Sequence, residues 1–286
     1  MRILIYFNKE NSVNLTFKSL PAITQPQSIV FSDFDSTYFN HLATAQDLTR
    51  IKEFEHFLFN LCQKENILFG LISGSPKQYI IDHLINKHYT ILPHFIASSY
   101  GSEIHYYNHS ELQLDTEWDQ QFLSHQQIEN NLSQFISQLK TEGLALTHQG
   151  TWQQTHYKRS FFLPQKNHSE QQLLKMLNKY CQHYNLAFNL SHSNPDNGDP
   201  DLNYDIDFFP TGCGKDKVVH YLCNKFSVNL THTLAFGDSG NDITMLKTVG
   251  QGYLVANATA EAKRKHAHHL NEKFTQGIYQ GLSKHY

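Results

Sequence analysis

The 286-residue chain predicts an α/β fold: a core on a mainly parallel sheet, interrupted by a smaller inserted α+β domain. Three observations predict it. Short apolar runs at 29–31, 67–72 and 233–236 each stop at polar residues, the pattern of strands buried on both faces whose carboxyl ends open into a site. Amphipathic stretches with apolar residues three and four apart lie between them, giving strand–helix–strand units. From about Tyr106 the chain becomes rich in Gln, Asn, Ser and His, then returns to apolar strands near 205. Residues 1–105 and 205–286 are therefore expected to form the core, and 106–204 the inserted domain.

Length allows about two domains. A formal net charge of −3 leaves no basic footprint for nucleic acid and no polybasic patch for a membrane, so the expected partner is a small molecule. The four cysteines, Cys62, Cys181, Cys213 and Cys223, show no CxxC pair, which points away from zinc and from a disulfide framework and fits a reducing cytoplasm. The apolar run at the N-terminus is too short for a signal peptide, and no stretch approaches the ~18 apolar residues of a membrane span. A soluble, cytoplasmic protein is expected.

In order, residues 1–27 read as a short strand or arm. Residues 28–37 are the first buried strand, running into Asp33, Asp35 and Thr37. A helix follows over 44–65, with Leu48, Ile51, Phe54, Phe57, Leu58 and Leu61 on its apolar side. A second strand ends at Ser73 and Gly74, and Pro76 starts the next helix, over 77–87. Residues 95–104 give a strand and a glycine turn. In the inserted domain, helices are expected near 125–141 and 169–184, with strands at 144–147, 160–163 and 187–190. The turn-forming segment 193–201 reads as a hinge or boundary, and 203–209 as the return to the core. A helix over 216–226, a strand ending at Gly237 and Asp238, a helix over 243–248, a strand near 252–256 and a helix over 258–268 complete the chain. The last helix carries His266, His268 and His269, read as surface residues.

Because side chains alternate along an extended segment, Asp33 and Asp35 are expected to point the same way about 6–7 Å apart. Carboxylates that close need a cation or a shared proton. Three strands thus end in polar groups of one character: Asp33 and Asp35, Ser73 and Gly74, Asp238 and Asp242. Lys215 follows a glycine turn. Carboxylates gathered from separate strands suit a hard cation such as Mg²⁺, which keeps waters for a phosphate to replace. A hydroxyl, backbone N–H groups and a lysine suit phosphate oxygens. From the residues alone, a calcium site or solvated acidic loops compete with that reading.

The motifs D-F-D-S-T at 33–37, Ser73-Gly74, Lys215 in G-K-D-K and G-D-S-G-N-D at 237–242, in that order, resemble the haloacid dehalogenase superfamily of phosphohydrolases. The resemblance implies a Rossmann-like core, and the long interval between Ser73 and Lys215 matches members whose cap is inserted after the second motif. Within the superfamily, I-V-F-S-D-F-D-S-T-Y-F at 29–39, H-F-I-A-S-S-Y-G-S-E-I at 94–104, Y-D-I-D-F-F-P at 204–210 and A-F-G-D-S-G-N-D at 235–242 resemble sugar phosphatases of the sucrose-phosphate and kanosamine-6-phosphate type.

That resemblance implies a phosphatase acting on a hexose or amino-hexose 6-phosphate. Asp33 would be the nucleophile and Asp35 the acid and base. Mg²⁺ would be held by Asp33, the Asp35 carbonyl and Asp238, with Asp242 assisting. Ser73, Gly74, Lys215 and Asn241 would face the substrate's phosphate end. For the sugar, the stretch at 157–160 is similar to a sucrose-phosphatase motif and makes Lys158 the first candidate, followed by Glu103 and by Asp199, Asp201 and Asn203. Lys158 as a solvated strand end is the competing reading. Ser36 departs from the kanosamine-type pattern, which has glutamate there. A phosphomutase, or a non-catalytic sugar-phosphate binder on the same fold, stands as the alternative.

Overall fold

The computed structural model describes residues 4–6, 15–108, 111–150, 153–167, 169–193 and 199–286. The chain opens with β1 (Leu4–Tyr6), β2 (Leu15–Ser19), β3 (Ser28–Ser32), α1 (Ala45–Glu65), β4 (Ile67–Ile72) and α2 (Lys77–Asn86). Next come β5 (Ile91–Leu92), β6 (Phe95–Ser98), β7 (Glu103–Asn108) and β8 (Glu111–Leu114). Then follow α3 (Thr116–Asp119), α4 (His125–Thr141), β9 (Thr147–His148), β10 (Arg159–Pro164), α5 (Glu170–His183), β11 (Leu186–His192) and β12 (Asn203–Pro210). The chain closes with α6 (Lys215–Lys225), β13 (Thr233–Gly237), α7 (Ile243–Thr248), β14 (Gln251–Leu254), α8 (Ala260–Lys265) and α9 (Phe274–His285).

The core sheet has the order β14-β13-β3-β4-β6-β7-β8. Its first five strands run parallel, and β7 and β8 are antiparallel additions. Strands β3, β4 and β13 are buried at every position, as expected where helices cover both faces of a parallel sheet. Helix α1 shows why the intervening segments become helical. Thr44 accepts the N–H of Asp47, whose side chain answers the Thr44 N–H, closing a capping box. The helix buries Ile51, Phe54, Leu58 and Leu61 along one stripe and ends at Asn66, whose φ of 50° is the left-handed cap conformation. The N-terminal arm is tied down through a second sheet, β1-β2-β5, with Phe17 buried in the core cluster.

The inserted unit has an antiparallel sheet in the order β11-β12-β10-β9. Helices α4 and α5 supply Leu132, Phe135, Leu139, Leu173 and Leu177 to a core shared with Phe161 and Phe208 of the sheet. Both helices begin at a serine, Ser124 and Ser169, that accepts a first-turn N–H.

Several boundaries differ from the sequence reading. The compact units divide after Asp115 and before Gly214, about ten residues beyond the expected 105/106 and 204/205. The polar texture after Tyr106 belongs to the core hairpin β7–β8, whose second strand is a largely exposed edge. Segment 203–209, taken as the return to the core, is β12 inside the cap sheet, where its alternating Tyr204, Ile206 and Phe208 are buried in the cap core. The strand expected at 144–147 shrinks to β9. His266, His268 and His269 lie beyond α8, where the His266 ring meets the Gly252 carbonyl at 2.9 Å and the His269 ring meets the His266 carbonyl. Of the expected hinge at 193–201, residues 194–198 lie outside the described residues. Among the described residues no helix is long and apolar enough to cross a membrane.

Gly70 shows how closely the core layers approach. It sits in β4 beside Phe31 of β3 and Phe95 of β6, and a Cβ built there would lie 2.3 Å from the Phe95 ring. Phe95 is fully buried and meets Phe31 edge-on at 5.9 Å, so it has nowhere to go. Gly70→Ala is therefore expected to destabilise the protein by about 1–3 kcal/mol through overpacking. A urea titration checks it: the midpoint should fall at unchanged slope, and an unmoved midpoint would show that Phe95 has room to yield.

Candidate active site

Each acidic loop is held by the last hydrogen bonds of the sheet. Strand β3 ends at Ser32, yet the Asp33 N–H still donates to the Phe236 carbonyl of β13 at 2.9 Å. The chain then turns back on itself. Tyr38 N–H reaches the Asp33 carbonyl at 3.3 Å, Phe39 N–H the Phe34 carbonyl at 2.8 Å, and the Phe34 and Phe39 rings stack at 5.0 Å. Ser36 takes a left-handed φ of 59°, its carbonyl held by the Asn257 amide at 2.6 Å. The alternation expected of an extended Asp33–Asp35 segment is thus lost to a turn, and the two carboxylates meet different partners.

Asp33 is 5% exposed. Its Oδ1 accepts from Lys215 Nζ at 2.5 Å, and the same ammonium reaches Asp242 Oδ1 at 2.6 Å. Lys215 is the first residue of α6 and is itself buried. Asp242 is fully buried, and its Oδ2 accepts the N–H groups of Asp238 and Ser239 at 2.9 and 3.0 Å. It thereby fixes the loop that carries Asp238. Thr37 Oγ1 donates to Asp238 Oδ1 at 3.3 Å.

Asp35 lies on the other side of the turn. Its Oδ1 is 3.0 Å from His41 Nε2, and its Oδ2 accepts from Ser75 Oγ at 2.7 Å, with Ser73 Oγ at 3.5 Å. Ser73 is anchored by its N–H on the Ala97 carbonyl at 2.8 Å, and its Oγ accepts the Ser75 N–H at 3.0 Å. Gly74 passes beneath the Tyr100 ring, 2.8 Å from where a Cβ would stand, so this turn requires glycine for clearance. Asn241 accepts from Ser239 Oγ at 2.9 Å. Glu103 opens β7 opposite Ser98, at the edge of the sheet where the parallel strands end.

The charges do not balance. Asp33, Asp238 and Asp242 offer oxygens within 4.8 Å of one another, and among the described residues Lys215 is the ammonium that contacts them. Burial pushes the Asp33 carboxyl up to about 8 against the pull of Lys215, with Asp242 and Asp35 pushing the same way. Burial, then Asp242 and Asp33, also hold Asp238 well above the ordinary carboxylate range. For Lys215, burial works against the ammonium, but Asp242 and Asp33 outweigh it and raise its pKa. A buried set of hard oxygen donors with excess negative charge suits a divalent cation such as Mg²⁺.

In the cap, Lys158 is 2% exposed, so it is not a solvated strand end. Its Nζ donates to Gln153 Oε1 at 2.8 Å and lies 3.3 Å from Asp207 Oδ1, which also accepts from Ser160. On the same strand, Asp205 accepts from the Gln149 amide at 2.6 Å. Burial, then repulsion from Asp207, pushes the Asp205 carboxyl up to about 7.

The structure thus brings together Asp33, Asp35, Ser73, Lys215, Asp238 and Asp242 in the core, and places Lys158 in the cap unit. Sequence reasoning assigned nothing to His41, Ser75, Asp205 or Asp207. The i, i+2 spacing of the last two on an apolar strand was a usable signal for one shared face. His41 had none, since its approach depends on the turn at 33–39.

The sucrose-6F-phosphate phosphohydrolase family model matches residues 26–286. The chain is 34% identical over 273 residues to kanosamine-6-phosphate phosphatase of Bacillus subtilis, covering 94% of this chain and 96% of the relative. It is 29% identical over 265 residues to an uncharacterized hydrolase of Staphylococcus aureus, covering 90% and 94%. Among solved structures, a haloacid dehalogenase-like hydrolase from Bacillus subtilis matches with a TM-score of 0.72 at 34% identity, covering 94% and 95% of the two chains. The sucrose-phosphatase from Synechocystis, solved with sucrose and phosphate, matches with a TM-score of 0.69 at 18% identity, covering 91% and 98%, which speaks to the fold alone. With strand ends, lysine and acidic loop placed as above, the chain belongs to the sucrose-6F-phosphate phosphohydrolase family and is a phosphatase of the haloacid dehalogenase superfamily.

Proposed function

We propose that the protein hydrolyses a hexose or amino-hexose 6-phosphate in a Mg²⁺-dependent reaction that passes through an aspartyl phosphate on Asp33. The observation that carries this reading is the buried Asp33–Lys215–Asp242 contact with Asp238 beside it. It places the nucleophile candidate on an ammonium and beside a cation-seeking oxygen set. The sugar is supported by the 34% identity to a kanosamine-6-phosphate phosphatase and by the family match.

Asp33, Asp238 and the Asp35 carbonyl are the proposed Mg²⁺ ligands. Asp242, with its oxygens already on Lys215 and on two backbone N–H groups, acts mainly from behind. A Mg²⁺ ion held by these groups would supply the charge that offsets two approaching anions and would orient the phosphoryl group. An Asp33 oxygen attacks phosphorus in line, and the bond to the sugar oxygen breaks while Asp35 gives that oxygen its proton. Asp35 then takes a proton from water. The resulting hydroxide attacks phosphorus, releasing phosphate and restoring Asp33. Ser73, the turn at Gly74, Lys215 and Asn241 are assigned to the phosphate end.

The sugar is assigned to Glu103 of the core and to Lys158 of the cap. In the cap, Lys158, Gln149, Asp205 and Asp207 form a buried set of donors and acceptors suited to hydroxyl or amine groups. All four cysteines are free and buried, which supports a reducing compartment such as the cytoplasm.

A phosphate-release assay over hexose and amino-hexose 6-phosphates should show activity that is lost on chelation and restored by Mg²⁺. In Asp33→Asn the rate should fall by about 10³-fold or more, as for loss of a covalent nucleophile. Folded wild-type protein that releases no phosphate from any of them would sink the reading, and isomer conversion without release would replace it with a mutase.

Lys158→Met should raise KM for the preferred sugar phosphate about tenfold or more, the value of a hydrogen bond from a charged group. Thermal unfolding run alongside separates this from cap collapse. An unchanged KM in a folded variant would remove Lys158 from sugar recognition.

A further inference from the structure

The two catalytic carboxylates have chemically opposite company. Asp33 is held at 2.5 Å by an ammonium, a group that donates and never accepts. Asp35 is held by an imidazole nitrogen at 3.0 Å and a hydroxyl at 2.7 Å, each able to donate or accept as its proton is placed. A nucleophile has to stay a carboxylate, whereas an acid and base has to gain and lose a proton within each turnover. A lysine beside Asp35 would favour the carboxylate over the acid.

We propose that His41, seconded by Ser75, is the positioning residue that keeps the Asp35 carboxyl in one orientation toward the leaving group. The inference rests on the phosphatase reading above. Both Asp35 oxygens are held, Oδ1 at the His41 ring and Oδ2 at the Ser75 hydroxyl, so rotating the carboxyl breaks both contacts. The ring is 30% exposed. Its plane is fixed by neighbours: Phe39 stands edge-on at 4.9 Å and His83 at 5.6 Å. His83 is in turn anchored at the Tyr79 carbonyl at 2.9 Å. His41 therefore acts on the leaving sugar oxygen only through Asp35.

A leaving-group comparison tests this. A sugar alkoxide departs only if protonated, whereas p-nitrophenolate leaves without a proton. Values of kcat/KM report steps up to phosphorylation of Asp33, so later water attack does not blur the comparison. For the hexose or amino-hexose 6-phosphate turned over fastest, His41→Ala should lower kcat/KM about 10–100-fold, part of the 10²–10⁴ that a positioned acid contributes. For p-nitrophenyl phosphate the loss should stay within about threefold.

His41→Gln, whose amide also gives and accepts, should recover most of the loss, and Ser75→Ala should show the same substrate dependence in milder form. Equal losses on both substrates, or no loss on the sugar phosphate in folded His41→Ala, would overturn the assignment. If His41→Ala does not fold, the Gln and Ser75 variants decide in the same way. Wild-type protein inactive on every sugar phosphate would instead overturn the phosphatase reading, and the His41 role with it.

Discussion

The structure depends on one buried ammonium. Lys215 stands between Asp33 and Asp242 with all three side chains nearly inaccessible to water. Each charge alone would carry a desolvation cost of several kcal/mol, and together they are tolerated because the contacts are short and the second oxygen of Asp242 accepts two backbone N–H groups. The lysine opens α6, the first element of the core after the inserted cap. Asp33 follows β3, and Asp242 anchors the loop after β13. One contact therefore ties together parts of the core that the cap separates in the chain. It also leaves a surplus of negative charge where a cation and a phosphate have to meet.

The precision of the site comes from the sheet. Asp33 and Ser73 each stand one residue beyond a strand, and each keeps a ladder-type hydrogen bond from its own N–H, to Phe236 and Ala97 respectively. The reactive residues are thus outside the strands in conformation but inside them in position. Past that last bond the backbone is free to turn, which is how Asp33 and Asp35, two residues apart, acquire unlike surroundings. The first meets the Lys215 ammonium, and the second the His41 ring and the Ser75 hydroxyl.

Much of the core was legible in the sequence because parallel strands buried on both faces leave uninterrupted apolar runs, and each run stops where its loop begins. Ser28–Ser32, Ile67–Ile72 and Thr233–Gly237 match that rule and point at Asp33, Ser73 and Asp238. The rule was of no help at β12, whose Tyr204, Ile206 and Phe208 alternate with Asp205 and Asp207 in an antiparallel sheet covered by helices. It gave no warning that β7 and β8 stay with the core, since an exposed edge strand looks like any polar segment. His41 and Ser75 were invisible for another reason. Their meeting with Asp35 is made by a turn and a strand crossover, and neither leaves a period in the sequence.

The cap repeats the electrostatic theme of the core at lower intensity. Asp205 and Asp207 project from one face of β12 and share a buried set with Lys158, Gln149 and Ser160. Two carboxylates against one ammonium again leave a negative surplus, and Asp205 is driven up to about 7 by burial and by Asp207. A surplus of that sign repels a phosphate dianion, while amide, hydroxyl and carboxyl groups bond well to hydroxyls, and the carboxylates also to an ammonium. In the core, the lysine, the hydroxyl of Ser73 and a cation-seeking oxygen set favour the phosphate end. Asp207 lies 3.3 Å from the Lys158 ammonium and Asp205 accepts from the Gln149 amide at 2.6 Å, so the two cap carboxylates differ as the two core carboxylates do: one faces a cation and the other a neutral group.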